Sequence, residues 1–118
     1  MDSETLAVLR EAADGLLFPS ETDAPFEVFY WEVAENSAAS ILRFAPRMAG
    51  EPMRTLSLSD FLQDLDEEKE FHALREALEK TLIAIIVYRF GTVHPTYFIV
   101  GNDADGNLAG LKTKAVET

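Results

Sequence analysis

The sequence contains no cysteine, which excludes disulfide bonds, thiol catalysis and thiolate metal sites. Basic residues are scarce, since 10 Lys and Arg stand against 21 Asp and Glu, and the formal net charge is -11. This charge disfavours binding to nucleic acids and to anionic membrane surfaces, because both repel an acidic protein. It favours a basic partner, which long-range electrostatic attraction would guide into contact.

Long apolar runs are also missing. The longest run, residues 82–88, has the length of a buried strand and falls far short of the ~18 residues of a membrane helix. The acidic, amphipathic first segment lacks the basic start and apolar centre of a signal peptide. The sequence therefore predicts a cytoplasmic protein without a membrane segment.

The residues that are present suit a folded core. The chain has 118 residues, of which 47% are hydrophobic, and it carries 8 Phe, 3 Tyr and 1 Trp. This length and composition predict a single domain over residues 1–118.

Two amphipathic helices are predicted from apolar residues at helical spacing. The first follows Ser3 as a cap and ends near Gly15, and the second begins at Asp66. Their apolar stripes are Leu6, Leu9, Ala13 and Leu16 in the first, and Phe71, Leu74, Leu78 and Leu82 in the second.

Shorter elements are predicted between these helices. Asn36 or Ser37 caps a short helix that runs to Phe44, and a short strand begins at Arg54. Ser59 is expected to cap a brief helical turn.

Four longer strands are predicted, over residues 26–33, 83–90, 93–100 and 108–116. Gly91-Thr92 indicates a tight hairpin between two of them, and residues 102–107 form a turn, so neighbouring strands are antiparallel. Several strands are apolar on both faces, which requires cover on both sides. The predicted fold is therefore α+β, a three-layer α/β/α sandwich with a mainly antiparallel sheet, in which Trp31 is buried.

No motif supports an enzyme, a cofactor or a metal site of the protein's own. His72 and His94 lack ligand spacing, and Asp103-Ala-Asp105-Gly106 fails the register of a calcium loop. Gly110-Leu-Lys112-Thr113 lacks the glycine directly before the lysine that a phosphate-binding loop needs. We interpret these segments as a helix surface, a hairpin turn and a strand.

Exposed acidic features remain. Glu21 lies in the loop segment Ser20-Glu21-Thr22-Asp23, and Glu117 with Thr118 follows the last predicted strand. A carboxylate at Thr118, placed by that strand, suits a basic or metal-containing site on a partner. Glu21, Glu117 and Thr118 are therefore the candidate partner-binding residues.

Four segments, lying towards both ends of the chain, carry a resemblance to a known family. They are Asp14-Gly-Leu-Leu-Phe18 with Ser20-Glu21, Pro25-Phe-Glu-Val-Phe29 with Trp31-Glu32, Val87-Tyr-Arg89 with Gly91, and Gly106-Asn-Leu-Ala-Gly110 running to Thr113-Lys114 and Val116-Glu-Thr118. In this combination the chain resembles the nuclease A inhibitor family. The resemblance implies an α/β/α protein that inhibits a sugar-nonspecific ββα-metal endonuclease, which degrades both DNA and RNA.

The resemblance also implies roles for single residues. Thr118 is expected to reach the divalent metal in the active site of the partner nuclease, and Glu21 is expected to contact the same partner. The middle of the chain departs from the family, because the interface tryptophan of other members has no match and Phe61 is the aromatic residue nearby. The alternative function is a small acidic protein-interaction module with an unrelated partner.

Overall fold

The computed structural model describes residues 3–19, 23–32, 36–63, 65 and 68–115. The helices are α1 (Ser3–Ala13), α2 (Ala38–Phe44), α3 (Leu58–Phe61) and α4 (Lys69–Thr81), with a 3₁₀ helix at Pro46–Met48. The strands are β1 (Leu17–Phe18), β2 (Ala24–Pro25), β3 (Glu27–Trp31), β4 (Met53–Leu56), β5 (Ile83–Phe90), β6 (Thr96–Asn102) and β7 (Leu108–Lys114).

The five longer strands form one sheet in the order β3-β7-β6-β5-β4. Every pairing in it is antiparallel, and β1 and β2 form a separate antiparallel pair. Strands β7, β6 and β5 lie in the middle of the sheet, and β6 is buried along nearly its whole length. The fold is α+β with an antiparallel sheet, as the sequence predicts.

The core consists of two groups of buried side chains. Successive residues of β6 alternate between them: Ile99 belongs to the first group and Phe98 to the second. Because side chains along a strand point to opposite faces, the two groups lie on opposite faces of the sheet. Helices α1 and α4 contribute Leu9, Ala13, Phe71, Leu74 and Leu78 to the first group, and α2 contributes Ile41 to the second.

The connection between β5 and β6 corrects the sequence prediction. Strand β5 has the predicted bounds, but β6 begins at Thr96 rather than at Val93, so the connection spans residues 91–95. A two-residue hairpin is not formed because Pro95 has no N–H to donate to the strand ladder. Gly91 takes a φ of 102° at the start of this longer loop, a conformation that glycine adopts readily.

The cap of α3 is a second correction. The Ser57 side chain, and not Ser59, accepts the backbone N–H of Asp60 at 3.0 Å. A capping oxygen reaches the third residue of the helix, which from Ser57 is Asp60. The hydroxyl of Ser59 instead accepts a hydrogen bond from Arg75 of α4 at 2.7 Å.

The remaining boundaries agree with the prediction or shift by a few residues. Ser37 caps α2, whereas the Asn36 amide donates to the carbonyl oxygens of Ala84 and Val100. The second long helix, α4, begins at Lys69, while Asp66 lies outside the described residues. None of the helices in the described part of the chain has the length and apolarity to cross a membrane.

The strand β3 ends at Trp31, so this residue lies at the end of the strand and not in its middle. Trp31 is half-buried rather than fully buried. Its ring stacks between Phe29 at 4.2 Å and Phe44 of α2 at 4.6 Å. Trp31 therefore joins the sheet edge to α2, on the face that α2 covers.

Candidate partner-binding site

One end of the sheet gathers four chain segments that are distant in sequence. Strand pairing places the start of β3 beside the end of β7, and the end of β7 beside the start of β6. The same register places Met53 of β4 opposite Phe90, next to residues 91–95. We call this the terminal end of the sheet, formed by Pro25, Met53, residues 91–95 and Ala115.

Two hydrogen bonds fasten these segments together. The buried hydroxyl of Thr113 donates to the carbonyl oxygen of Pro25 at 3.1 Å. The backbone N–H of Ala115 donates to the carbonyl oxygen of Pro95 at 3.0 Å. The end of β7 and the residue after it are thus bonded both to β2 and to the loop that precedes β6.

The three predicted contact residues, Glu21, Glu117 and Thr118, lie outside the described residues. The structure describes the chain on either side of Glu21 and the chain before Glu117. A cleft of about 180 Å³ is lined by residues from both of these flanks. They are Ala24, Pro25 and Glu27 on one side and Lys112, Thr113 and Lys114 on the other.

Both basic and acidic side chains lie at this end of the described sheet, although the net charge of the chain is strongly negative. Lys112 lies opposite Glu27 in the register, and Lys114 is exposed beside Thr96. The alternation Lys-Thr-Lys in the sequence indicates this arrangement, because residues two apart share a face of a strand. About half of the exposed acidic side chains in the described chain lie on and around α1 and α4, which pack together. They include Glu4, Glu11, Asp14, Glu68, Glu70, Glu76 and Glu79.

The segment that resembles a calcium loop is a hairpin turn, as predicted. Asp103, 3% exposed, accepts the backbone N–H groups of Asp105 and Asn107 with one carboxylate oxygen, both at 2.9 Å. Its other oxygen accepts the hydroxyl of Tyr30. The amide of Asn107 donates to that hydroxyl oxygen at 2.7 Å. Asp103 therefore holds the β6–β7 turn against β3.

The other candidate motifs also have structural roles. His72 is exposed on α4 and lies 3.1 Å from Glu76, one helical turn later. Gly110, Lys112 and Thr113 lie within strand β7, which excludes a phosphate-binding loop followed by a helix. Within the described part of the chain, no group of three or more His, Cys, Asp or Glu is placed to hold a metal ion.

A model of the NuiA family, described as nuclease A inhibitor-like protein, matches residues 3–118. The chain belongs to the NuiA family. The resemblance that the four sequence segments carry is thereby confirmed over nearly the whole chain. A search of curated proteins finds no match.

The structure explains why two positions in these NuiA-like segments are glycine. A Cβ at Gly110 would collide with the carbonyl oxygen of Ile99 on the neighbouring strand, so only glycine fits there. Gly106 has a φ of 81° in the β6–β7 turn, where left-handed conformations suit glycine.

Phe61, the aromatic residue near the place where the resemblance leads one to expect an interface tryptophan, is not exposed at the surface. It is 9% exposed, and its ring stacks on Phe18 at 5.0 Å with an angle of 8° between the planes. Tyr97 contacts the same ring at 5.0 Å. Phe61 therefore belongs to the core on the side of α1 and α4.

Proposed function

We propose that this NuiA-family protein inhibits a sugar-nonspecific ββα-metal endonuclease that cleaves DNA and RNA. The observation that carries the proposal is the family match over residues 3–118. On this proposal the protein is not an enzyme, and its chemistry consists of binding and blocking the partner.

The proposed contact is made at the terminal end of the sheet. Glu117 and Thr118 follow Ala115, whose backbone is held by Pro95, and Glu21 precedes β2, which is held by Thr113. This support places both flanks at one end of a rigid sheet. We propose that Glu21 contacts the nuclease while Glu117 and Thr118 enter its active site.

The chemistry of Thr118 suits a metal-containing cleft. Hard divalent cations prefer oxygen ligands, and Thr118 offers a hydroxyl and, as the proposed C-terminal residue, a carboxylate. These groups mimic the oxygens of a phosphodiester but contain no bond that the nuclease cleaves. Inhibition is then occlusion of the active site, strengthened by oxygen contact with the metal of the nuclease.

The scaffold is part of the proposal. The two buried groups on opposite faces of the sheet support a three-layer α/β/α sandwich, with α1 and α4 on one side and α2 on the other. We propose that residues 1–118 form this one domain. Its sheet, covered on both sides, would hold the terminal end fixed while the nuclease binds.

The decisive experiment removes Thr118. Deletion should raise the inhibition constant for a purified ββα-metal endonuclease more than tenfold, a loss of about 1.4 kcal/mol. The melting temperature should change little, because a terminal residue adds little to the core. Activity is measured as the rate of plasmid DNA cleavage at increasing inhibitor concentration.

A pair of tagged proteins provides the control. A tag after Thr118 should weaken inhibition as much as deletion, because it would obstruct entry into a narrow site, whereas the same tag before Met1 should have no effect. Full inhibition by the C-terminally tagged protein would refute the plugging mechanism. A wild-type protein that binds no such nuclease would favour the acidic interaction module instead.

A further inference from the structure

The loop of residues 91–95 contacts the last described residue of the chain that leads to Thr118. Its last residue, Pro95, accepts the backbone N–H of Ala115 at 3.0 Å. Whatever surface receives residues 116–118 must therefore pass close to this loop. The outer residues of the loop, Thr92, Val93 and His94, are all exposed.

The loop is anchored by contacts at both ends. The N–H of Gly91 donates to the carbonyl oxygen of Pro52 at 2.8 Å, and the Arg89 guanidinium donates to that of Thr92 at 3.0 Å. Pro95, at the other end, is buried. A loop anchored at both ends loses less conformational entropy on binding than a free one, so more of the contact energy of its exposed side chains contributes to affinity.

Val93 is the apolar residue that this loop presents, with 49% of its surface exposed. A single exposed valine is ordinary on a protein surface. However, two other large apolar side chains, Leu17 and Met53, are also exposed near the same end of the sheet. Leu17 lies opposite Pro25 in the β1–β2 pair, and Met53 lies opposite Phe90, next to the loop.

We propose that the 91–95 loop is a second contact element, with Val93 packing on an apolar rim around the active-site cleft of the nuclease. This inference rests on the proposed function and adds a residue to it. The terminal residues then supply charge and oxygen ligands, while Val93 supplies apolar contact beside them. Protein interfaces combine apolar contact area with direct polar contacts.

The test replaces Val93 with serine, which removes apolar surface without adding charge. For a purified ββα-metal endonuclease, Val93→Ser should raise the dissociation constant roughly tenfold. The change should lie in the dissociation rate and be the same factor at low and high salt, because screening does not act on an apolar contact. The melting temperature should stay within a degree or two of wild type, since Val93 lies in an exposed loop.

Ile83→Ser is the matched control. Ile83 lies at the other end of β5, away from the terminal end, and is 69% exposed. Its replacement by serine therefore removes at least as much exposed apolar surface as Val93→Ser. It should bind like wild type. An equal loss of affinity in both variants, or no loss in Val93→Ser, would overturn the inference. If the wild-type protein still inhibited the nuclease, the proposed function would stand. If wild type itself failed to inhibit, the proposed function would fail and this inference with it.

Discussion

Trp31 illustrates how much of this fold depends on single aromatic side chains. Its indole lies between the rings of Phe29 and Phe44, and the Arg43 guanidinium lies 5.0 Å from the Phe44 ring. Each aromatic pair contributes about 0.5–1.5 kcal/mol beyond the burial of its area. Trp31 also lies at the opposite end of β3 from the terminal end, so we expect its role to be structural.

Replacing Trp31 with alanine should lower the free energy of unfolding by about 3 kcal/mol, the low end for a large aromatic because the residue is only half-buried. Chemical denaturation measures this loss. Trp31→Phe should retain the stacking and lose less than half as much. A Trp31→Ala protein of normal stability that had lost only inhibition would place the residue in the interface and contradict the structure.

At the scale of elements, the sheet depends on the close approach of β6 and β7. Gly110 pairs with Val100, and the Phe29 ring lies above it, 3.2 Å from where a Cβ would be. The carbonyl oxygen of Ile99 occupies the remaining space. Because backbone atoms cannot move without disturbing the ladder, β7 cannot carry a side chain at this position.

Gly110→Ala should therefore cost about 3 kcal/mol or more, the upper range for over-packing a core. Gly50→Ala is the control: Gly50 has a φ of 89° but no atom within 4 Å of an added Cβ. That change should cost only about 1–2 kcal/mol, from left-handed backbone strain. Thermal and chemical unfolding of the two variants compare steric and conformational costs directly. Similar stability of Gly110→Ala and wild type would mean that β6 and β7 separate more easily than the structure indicates.

At the scale of the whole molecule, the formal net charge of -11 and its distribution have different consequences. The described terminal end carries Lys112 and Lys114 together with the exposed Glu27, whereas other exposed carboxylates lie on and around α1 and α4. Net charge acts at long range and guides a basic partner towards the protein, but it does not select the surface that finally makes contact.

The association rate with a basic nuclease should fall steeply as salt rises, because the Debye length is only about 8 Å at physiological ionic strength. Stopped-flow measurements at several salt concentrations give the slope. The double variant Glu11→Gln/Glu70→Gln should lower the rate at low salt and reduce the slope, yet leave the dissociation rate unchanged. A rate independent of salt would rule out electrostatic steering.

The sequence by itself determined the main elements and the family. Helical spacing predicted α1 and the apolar stripe of α4, and a continuous apolar run predicted β5 with its bounds, because these patterns reflect burial directly. The four motif segments led to the family that the match over residues 3–118 confirms. Glu21, Glu117 and Thr118 remain predictions, as does the cytoplasmic location.

Only the tertiary structure decided which residues share the terminal end and with which partner each polar group forms its hydrogen bond. The hydrogen bond from Arg75 to Ser59 and the bond from Ala115 to Pro95 are two examples that only the structure shows. Local sequence patterns do not contain these contacts, because the partners lie far apart along the chain. The place of Val93 beside the last strand arises in the same way, from strand pairing that brings distant segments to one end of the sheet.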